Sequence, residues 1–392
     1  MSTQIEEIRS NLAKFQGYLE KDPTNVNLVA QVADLHFQIG EFEQARDILQ
    51  KALAHGPNEP GFLFRLSNIA LAMGNVEEAE ELLKGLLAQG VDNGAVQYNL
   101  AYAYMYQKKF EDAREILERL IAAGDESAPG VPVLLARCYH HLGELDKAVE
   151  LGKGYLESHP QDQEALGVLS LVAYDNSDEK TAEQWASEAI QYNDTNLEAR
   201  VALGSLALGA QDYETAEQHF QAALSKHATS GRAWSGQGLA DMLKLDIDRA
   251  IEDLQNAVEY MPNHIGTWHA LAWCQILKND IDGAKHSFEK AMELDRNFGE
   301  SHGGLAVIAY MQGDKETARI ETRKAVLLDS MSFSGRFAES LLLQDTDPQA
   351  AQEMIRNIMQ SRLGPEGQSL QDTLTRFLKK RAEHQAVSNR SE

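Results

Sequence analysis

Cysteine, proline and aromatic residues are scarce in this sequence of 392 residues. The two cysteines, Cys138 and Cys274, form no Cys/His spacing suited to zinc, so neither a disulfide framework nor a zinc site is indicated. No stretch reaches the roughly 18 to 20 apolar residues that cross a bilayer, so we expect no membrane insertion. With nine prolines, 7% aromatic residues and many alanines and leucines, the composition favours helices over sheets.

Basic residues are also few, since 36 lysines and arginines stand against 60 acidic residues and give a formal net charge of −24. Such a charge repels polyphosphates and anionic lipids, so we expect no nucleic acid partner and a protein partner that is neutral or basic. The N-terminal sequence MSTQIEEIRS is acidic where a secretory signal is basic, which predicts a cytoplasmic location.

Catalytic motifs are absent from the sequence. It contains no P-loop, no GxGxxG after a strand, no HExxH and no GxSxG elbow. His269 and His302 could meet on neighbouring helices, but no carboxylate or cysteine completes a metal site. The sequence therefore predicts a protein that is not an enzyme and that binds no metal or cofactor.

An internal repeat runs through most of the chain. Its marker is an alanine that recurs at intervals of 34 residues, with one interval of 35. The extra residue falls in the Pro/Gly-rich segment 127–132, where a loop can absorb it. The marker alanines are Ala45, Ala79, Ala113, Ala148, Ala182, Ala216, Ala250, Ala284 and Ala318.

Each copy repeats more than its alanine. A small residue stands twelve positions before the marker, a turn residue such as Gly40 or Gly313 stands five before it, and a bulky residue usually stands four after it. This spacing predicts two antiparallel helices per copy, in which glycine ends the first helix and apolar residues at i, i+4 and i+7 form one face of the second. Ala186 and Thr322 replace the bulky residue in copies five and nine.

The repeat resembles that of the tetratricopeptide family. The segments LVAQVADLHFQIGEFEQARDILQKALAHGPN at 28–58 and AWSGQGLADMLKLDIDRAIEDLQNAVEYMPN at 233–263 follow its pattern closely. Nine copies cover residues 26–332. The resemblance implies an all-α fold, a right-handed superhelical α-solenoid of antiparallel helix pairs with capping helices.

The segments outside the nine copies are predicted to cap the array. Residues 1–25 would form an N-terminal capping helix, 333–364 a degenerate tenth helix pair, and 365–392 a C-terminal capping helix with a polar tail. A solenoid needs such caps because its end repeats otherwise leave an apolar face in water.

In tetratricopeptide proteins the first helix of each pair lines a concave groove, so the resemblance implies that residues on one face of these helices bind the ligand. Aromatic residues on a partly exposed surface often anchor peptides and helices, although ordinary packing between helices is the alternative for each of them. The candidate groove residues are Phe64, Asn68, Tyr98, Asn99, Tyr102, Met105, Arg137, His140, Tyr174, Met242, His269, Trp273, Ile276 and Tyr310.

Asn68 and Asn99 match the asparagine pair with which one subclass of the family grips the C-terminal carboxylate of chaperones. The cationic positions of that clamp hold Phe64, Pro129 and Val133 here. A carboxylate would have no counter-ion at such a site, so we do not expect this ligand. The two asparagines could still hydrogen-bond an extended peptide backbone.

The leading hypothesis is a non-enzymatic protein–protein interaction scaffold (an adaptor, co-chaperone or assembly factor) that binds a peptide or helix of its partner in the concave groove. The alternative is a structural subunit of a larger complex, such as a bacterial secretion, pilus or polysaccharide-export apparatus. Residues 356–392 carry seven basic and four acidic residues, a net charge of +3 in a chain at −24, which permits a weak head-to-tail self-association.

Overall fold

The computed structural model of this chain describes residues 2–56, 59–124, 128, 130–361, 369 and 371. Over these residues the chain forms 21 α-helices and no β-strand, which confirms the predicted all-α solenoid of helix pairs. The chain divides into two compact units, Met1–Asn176 and Ser177–Glu392. The C-terminal helix expected within 365–392 falls outside the described residues, apart from Ser369 and Gln371.

Ten helices lie in the first unit: α1 (Ser2–Leu19), α2 (Val26–Gln38), α3 (Phe42–His55), α4 (Pro60–Ala72), α5 (Val76–Ala88), α6 (Gly94–Tyr106), α7 (Phe110–Ala123), α8 (Val131–His141), α9 (Leu145–Ser158) and α10 (Gln163–Asp175). The helices described in the second unit are α11 (Glu179–Tyr192), α12 (Leu197–Gly209), α13 (Tyr213–Leu224), α14 (Gly231–Leu243), α15 (Ile247–Tyr260), α16 (Ile265–Leu277), α17 (Ile281–Leu294), α18 (Gly299–Met311), α19 (Lys315–Leu328), α20 (Phe333–Leu343) and α21 (Pro348–Gln360). The even-numbered helices are the first helices of their repeats, and the odd-numbered helices from α3 onward are the second helices.

Side-chain caps start many of these helices. In the second unit the second helices begin after an aspartate whose Oδ1 accepts a hydrogen bond from the backbone N–H three residues later. Asp212 accepts from Thr215 at 3.2 Å, and Asp314 accepts from Thr317 at 3.0 Å. Such caps satisfy N–H groups that have no partner within the helix, so they fix where each helix begins.

The turn between the two helices of a repeat needs one residue in the left-handed conformation. Glycine fills this position in four repeats, with φ angles between 75° and 83° at Gly40, Gly74, Gly143 and Gly313. This confirms the predicted glycine turns. The other five repeats place a residue with a side chain there at φ of 60° or 61°: Lys108, Ser177, Gln211, Leu245 and Asn279.

The marker alanines are the centre of the core, since all nine are completely buried. The residue four positions later is also buried, including Gly152, Ala186 and Thr322 in the three repeats that lack a bulky side chain there. Small residues on the first helices make room for the large ones. A Cβ atom at Gly236 would lie 2.3 Å from the Phe220 ring, so this close helix contact depends on glycine.

Cys138 and Cys274 belong to the same core. Both are completely buried and neither is in a disulfide. Burial raises the pKa of each thiol to about 11. They are therefore packing residues, with little of the thiolate that would make them reactive.

Candidate functional site

The predicted groove residues all lie on first helices, and each is half-buried. Nine of them lie in the first unit, on α4, α6, α8 and α10, and five lie in the second unit, on α14, α16 and α18. The two sets have different surroundings.

In the first unit a cavity of about 350 Å³ opens on α6, α8 and α10. We call it the tyrosine pocket. Its α6 residues are spaced at i, i+4, i+7 and i+8, so they share one face of the helix. The lining residues are Tyr98, Tyr102, Met105, Tyr106, Leu134, Arg137, His141 and Glu164.

The three tyrosines give the pocket both apolar surface and hydrogen-bonding groups. The Tyr102 hydroxyl donates to that of Tyr106 at 3.2 Å, and their ring centroids are 5.0 Å apart. Tyr98 packs over Gly130, where a Cβ atom would come within 2.8 Å of its hydroxyl. Burial raises the pKa of Tyr98 and Tyr102, so both hydroxyls remain neutral donors near pH 7.

Charged groups form the opposite wall. Arg137 Nη2 lies 3.5 Å from Glu164 Oε1, and both side chains are partly exposed. The imidazole of His141 stacks on Phe110, with centroids 4.6 Å apart and planes 4° apart. The pocket therefore combines aromatic rings, a guanidinium group and a carboxylate, which suits a side chain with an apolar body and a polar end.

The two asparagines next to the pocket, Asn68 and Asn99, form a hydrogen bond with each other. Asn99 Nδ2 donates to Asn68 Oδ1. On the neighbouring turn of α4, Arg65 forms two hydrogen bonds to Asp34, at 2.8 and 2.9 Å. Phe64 packs against the core cluster that also holds the tyrosines. These contacts join α2, α4 and α6 side by side.

His140 and Tyr174 lie on the same side of the first unit but do not line the pocket. His140 Nε2 is 2.6 Å from Asp175 Oδ2, which joins α8 to α10. The role of His140 in ligand binding therefore stays a prediction, and its visible contact is between helices.

In the second unit Trp273 lies among aromatic rings from other helices. Its ring centroid is 6.1 Å from that of Phe288, 5.7 Å from Phe333 and 5.9 Å from Phe337. Ile276 and Trp273 both pack against two core clusters, one formed by α16, α17 and α18 and the other by α18 and α20. These contacts join α16 to α17 and α20, so Trp273 and Ile276 contribute to helix packing whatever else they bind.

His269 is held in a similar way. Its Nε2 is 2.8 Å from Ser301 Oγ, and its ring lies 5.4 Å from both Phe288 and Phe298. Burial lowers the pKa of His269 to about 4, so the imidazole is neutral at physiological pH. The suggested meeting of His269 with His302 does not occur, because His302 Nδ1 is instead 2.6 Å from Glu321 Oε2.

The last two predicted groove residues lie apart from each other. Met242 packs against the core cluster of α15 and α16. The ring of Tyr310 lies under the ammonium group of Lys315, 6.0 Å from the ring centroid.

Two neighbouring carboxyl groups, one of them fully buried, stand out in the second unit. Asp241 on α14 is completely buried, accepts a hydrogen bond from Gln237 at 3.1 Å and lies 3.1 Å from Lys244 Nζ. Burial and the neighbouring Asp241 raise the pKa of Asp253 on α15 to about 7. Neither residue lines the tyrosine pocket, so we assign the pair to the interface between these two helices.

Four pocket residues are missing from the sequence-based set: Tyr106, Leu134, His141 and Glu164. Tyr106 and His141 stand seven positions before a marker alanine, and Leu134 stands fourteen before one. The prediction considered positions eight, eleven and fifteen, which is too narrow a strip of the helix. A face about 100° wide includes the neighbouring positions.

Within the described ranges, no group of three or more His, Cys, Asp and Glu side chains is placed to hold a metal ion. No described helix has the length and apolar character needed to cross a bilayer.

Family models described as tetratricopeptide repeat match the sequence at residues 12–63, 48–97 and 70–129, at 201–264 and at 265–298. The chain therefore belongs to the tetratricopeptide repeat family, whose members are in general non-enzymatic modules of protein–protein interaction. A comparison with curated protein sequences gives no significant match.

Solved structures of similar fold include a monomeric mutant of IFIT1 with m7Gppp-AAAA. It has a TM-score of 0.55 and 14% identity, over 85% of this chain and 90% of that one. A second is Cut9-Hcn1, described as an APC/C hetero-tetramer, with a TM-score of 0.52 and 13% identity over 91% of this chain and 76% of that one. At these identities the similarity shows the fold alone.

Proposed function

We propose that this chain is a non-enzymatic adaptor, co-chaperone or assembly factor that binds a peptide or helix of a partner protein in the tyrosine pocket. The observation that carries the proposal is the set of three tyrosines and Met105 on one face of α6, around a cavity of about 350 Å³. Tyrosine gives a large contact area at a small loss of side-chain entropy, which is why it is common where proteins bind each other.

The pocket also supports an expectation about the ligand. The Tyr98 hydroxyl makes no hydrogen bond to any described residue, so it can donate to a peptide carbonyl group. Glu164 and the chain's net charge of −24 favour a ligand segment that is neutral or basic. Such a segment would place one apolar or aromatic side chain between the tyrosine rings.

The test compares three forms of the protein as bait in a lysate of its own source: wild type, Tyr102→Ala/Tyr106→Ala, and Tyr260→Ala. Tyr260 is a matched control because it is 43% exposed on α15, outside the pocket. The binding segment of the captured protein is then made as a peptide, and its Kd is measured by calorimetry. Loss of a binding hot spot, worth about 2 kcal/mol or more, weakens binding roughly thirtyfold.

Two outcomes would contradict this proposal. One is equal affinity of the wild type and the double variant. The other is a partner kept by the double variant and lost when an outer face is altered, as expected for a structural subunit. Circular dichroism melts confirm that each variant is folded.

A further inference from the structure

Four large apolar side chains are exposed on α19 and just after it: Leu328, which is 44% exposed, and three that are more exposed. Ile320 is 48% exposed, Leu327 is 85% exposed and Met331 is 60% exposed. A spacing of seven residues places Ile320 and Leu327 on one face of the helix. Together the three expose on the order of a few hundred Å², a patch size that often marks a contact site on a soluble protein. We call them the α19 stripe.

The other eight repeats provide an internal comparison for this stripe. At the position of Ile320 they hold aspartate, glutamate, glutamine or histidine, and at the position of Met331 only polar residues. At the position of Leu327 they hold alanine, serine, glutamine or glutamate. These three positions are therefore small or polar in the other eight repeats, and the ninth repeat alone makes all three of them large and apolar.

The helix that carries the stripe is also basic. Helix α19 carries four basic and two acidic residues in a chain of net charge −24. Arg319 and Lys324 pair with glutamates on the same helix, at 3.6 and 2.7 Å. Arg323, between Ile320 and Leu327, makes no ion pair with any described residue. A partner surface for this helix should therefore be apolar with acidic groups at its edge.

The first unit has such a surface. A cleft of about 610 Å³ lies between the second helices α7 and α9, above α8, and we call it the α7–α9 cleft. Its walls include Ile121, Pro132, Leu135 and Leu151. Glu118, Lys147 and Glu150 also line it. Lys147 pairs with Glu144, whereas Glu150 is exposed and has no ion pair among the described residues.

We propose that two copies of this chain associate, with the α19 stripe of one copy in the α7–α9 cleft of the other. Leu327 and Ile320 fill the cleft, and Arg323 pairs with Glu150. Contact between two α19 stripes is disfavoured because it brings like charges together.

The test uses disulfide trapping between two full-length variants, Leu327→Cys and Ala122→Cys, since Ala122 lines the cleft. The natural cysteines are completely buried and do not interfere. The proposal expects a mixed dimer linked through positions 327 and 122, formed at least about tenfold faster in the mixture than in either variant alone. Glu293→Cys is the matched control, because Glu293 occupies the position of Leu327 in the preceding repeat and is exposed.

Sedimentation velocity of the uncrosslinked protein gives a second readout. Wild type should associate as its concentration rises, Arg323→Glu should weaken the association about tenfold, and adding Glu150→Arg should restore it. A monomeric wild type, a Glu293→Cys mixture that crosslinks as fast as Leu327→Cys, or a predominance of Leu327→Cys homodimers would each overturn the proposal.

Discussion

Replacement of Asp253 by asparagine should stabilise the protein at high pH and have little effect at low pH. Asp253 lies on α15 beside the fully buried Asp241 of α14. Burial and that second carboxyl raise its pKa from 3.8 to about 7, Arg249 opposes the rise and Glu252 adds to it. Lys244 and Glu217 complete the charged surroundings through an ion pair of 2.6 Å.

The sign follows from the direction of the pKa change. Because the pKa of Asp253 is higher in the folded chain, the stabilising contribution of its proton is complete below the unfolded value of 3.8 and is lost as the pH rises through about 7. Between pH 5 and pH 8 this loss is worth about two pKa units, or roughly 2.7 kcal/mol. Asp253 is only half-buried, so water reduces the loss to about 1 to 2 kcal/mol.

Asparagine cannot ionise, and its amide can donate to Asp241. Wild type should therefore lose about 1 to 2 kcal/mol more than Asp253→Asn between pH 5 and pH 8. Hydrogen exchange of α14 and α15 measures this locally, which suits a repeat protein that does not unfold in a single step. Glu259→Gln, an exposed change on the same helix, should follow wild type at both values. Parallel pH dependence of wild type and Asp253→Asn would refute the reasoning.

Three further predictions concern stability. Leu245→Gly should stabilise the chain by about 1 kcal/mol in urea unfolding, because Leu245 holds φ of 60° at the turn where four repeats use glycine. Gly236→Ala should destabilise it by about 1 to 3 kcal/mol through collision with a phenylalanine ring, whereas Gly85→Ala, which meets nothing within 4 Å, should stabilise it slightly. Trp273→Ala should lower the melting temperature clearly, at a cost of roughly 3 to 5 kcal/mol, while Tyr106→Ala, 64% exposed, should change it little.

Much of the fold could be predicted because the same local sequence pattern recurs in each repeat. The marker alanines, the glycine turns and the bulky residue of the second helix recur often enough to be read without a structure. The five turns that lack glycine were harder to recognise. Leu245 and Lys108 give no local signal for φ of 60°, and only their place in the repeat identifies them.

The candidate site could be predicted in part. Tyr98, Tyr102, Met105 and Arg137 come together around one cavity, and their role in binding stays a prediction. Trp273 occupies the same kind of position in its repeat, yet it is surrounded by rings from α17 and α20. The position of a residue in the repeat determines the direction of its side chain. How deeply that side chain is buried depends on neighbouring helices, which the repeat pattern does not specify.

The pair of Asp241 and Asp253 shows what the repeat pattern cannot predict. Asp241 stands nine residues before its marker alanine and Asp253 three after it. In the next repeat those two positions hold Gln275 and Ser287, which hydrogen-bond at 2.8 Å. Comparison of equivalent positions would have suggested a polar contact between α14 and α15, but the rise in the pKa depends on burial, which the sequence does not give.

These cases suggest where specific function lies in a repeat protein. Positions that every copy keeps alike, such as the marker alanines, serve the helix packing that all copies share. A binding surface must differ from copy to copy, because identical surfaces would bind one ligand at every repeat. The tyrosines of α6 and the apolar stripe of α19 are both departures of a single repeat from its neighbours. The tyrosines line a cavity in the first unit, and the stripe is an exposed part of a second helix, so they are suited to two different contacts.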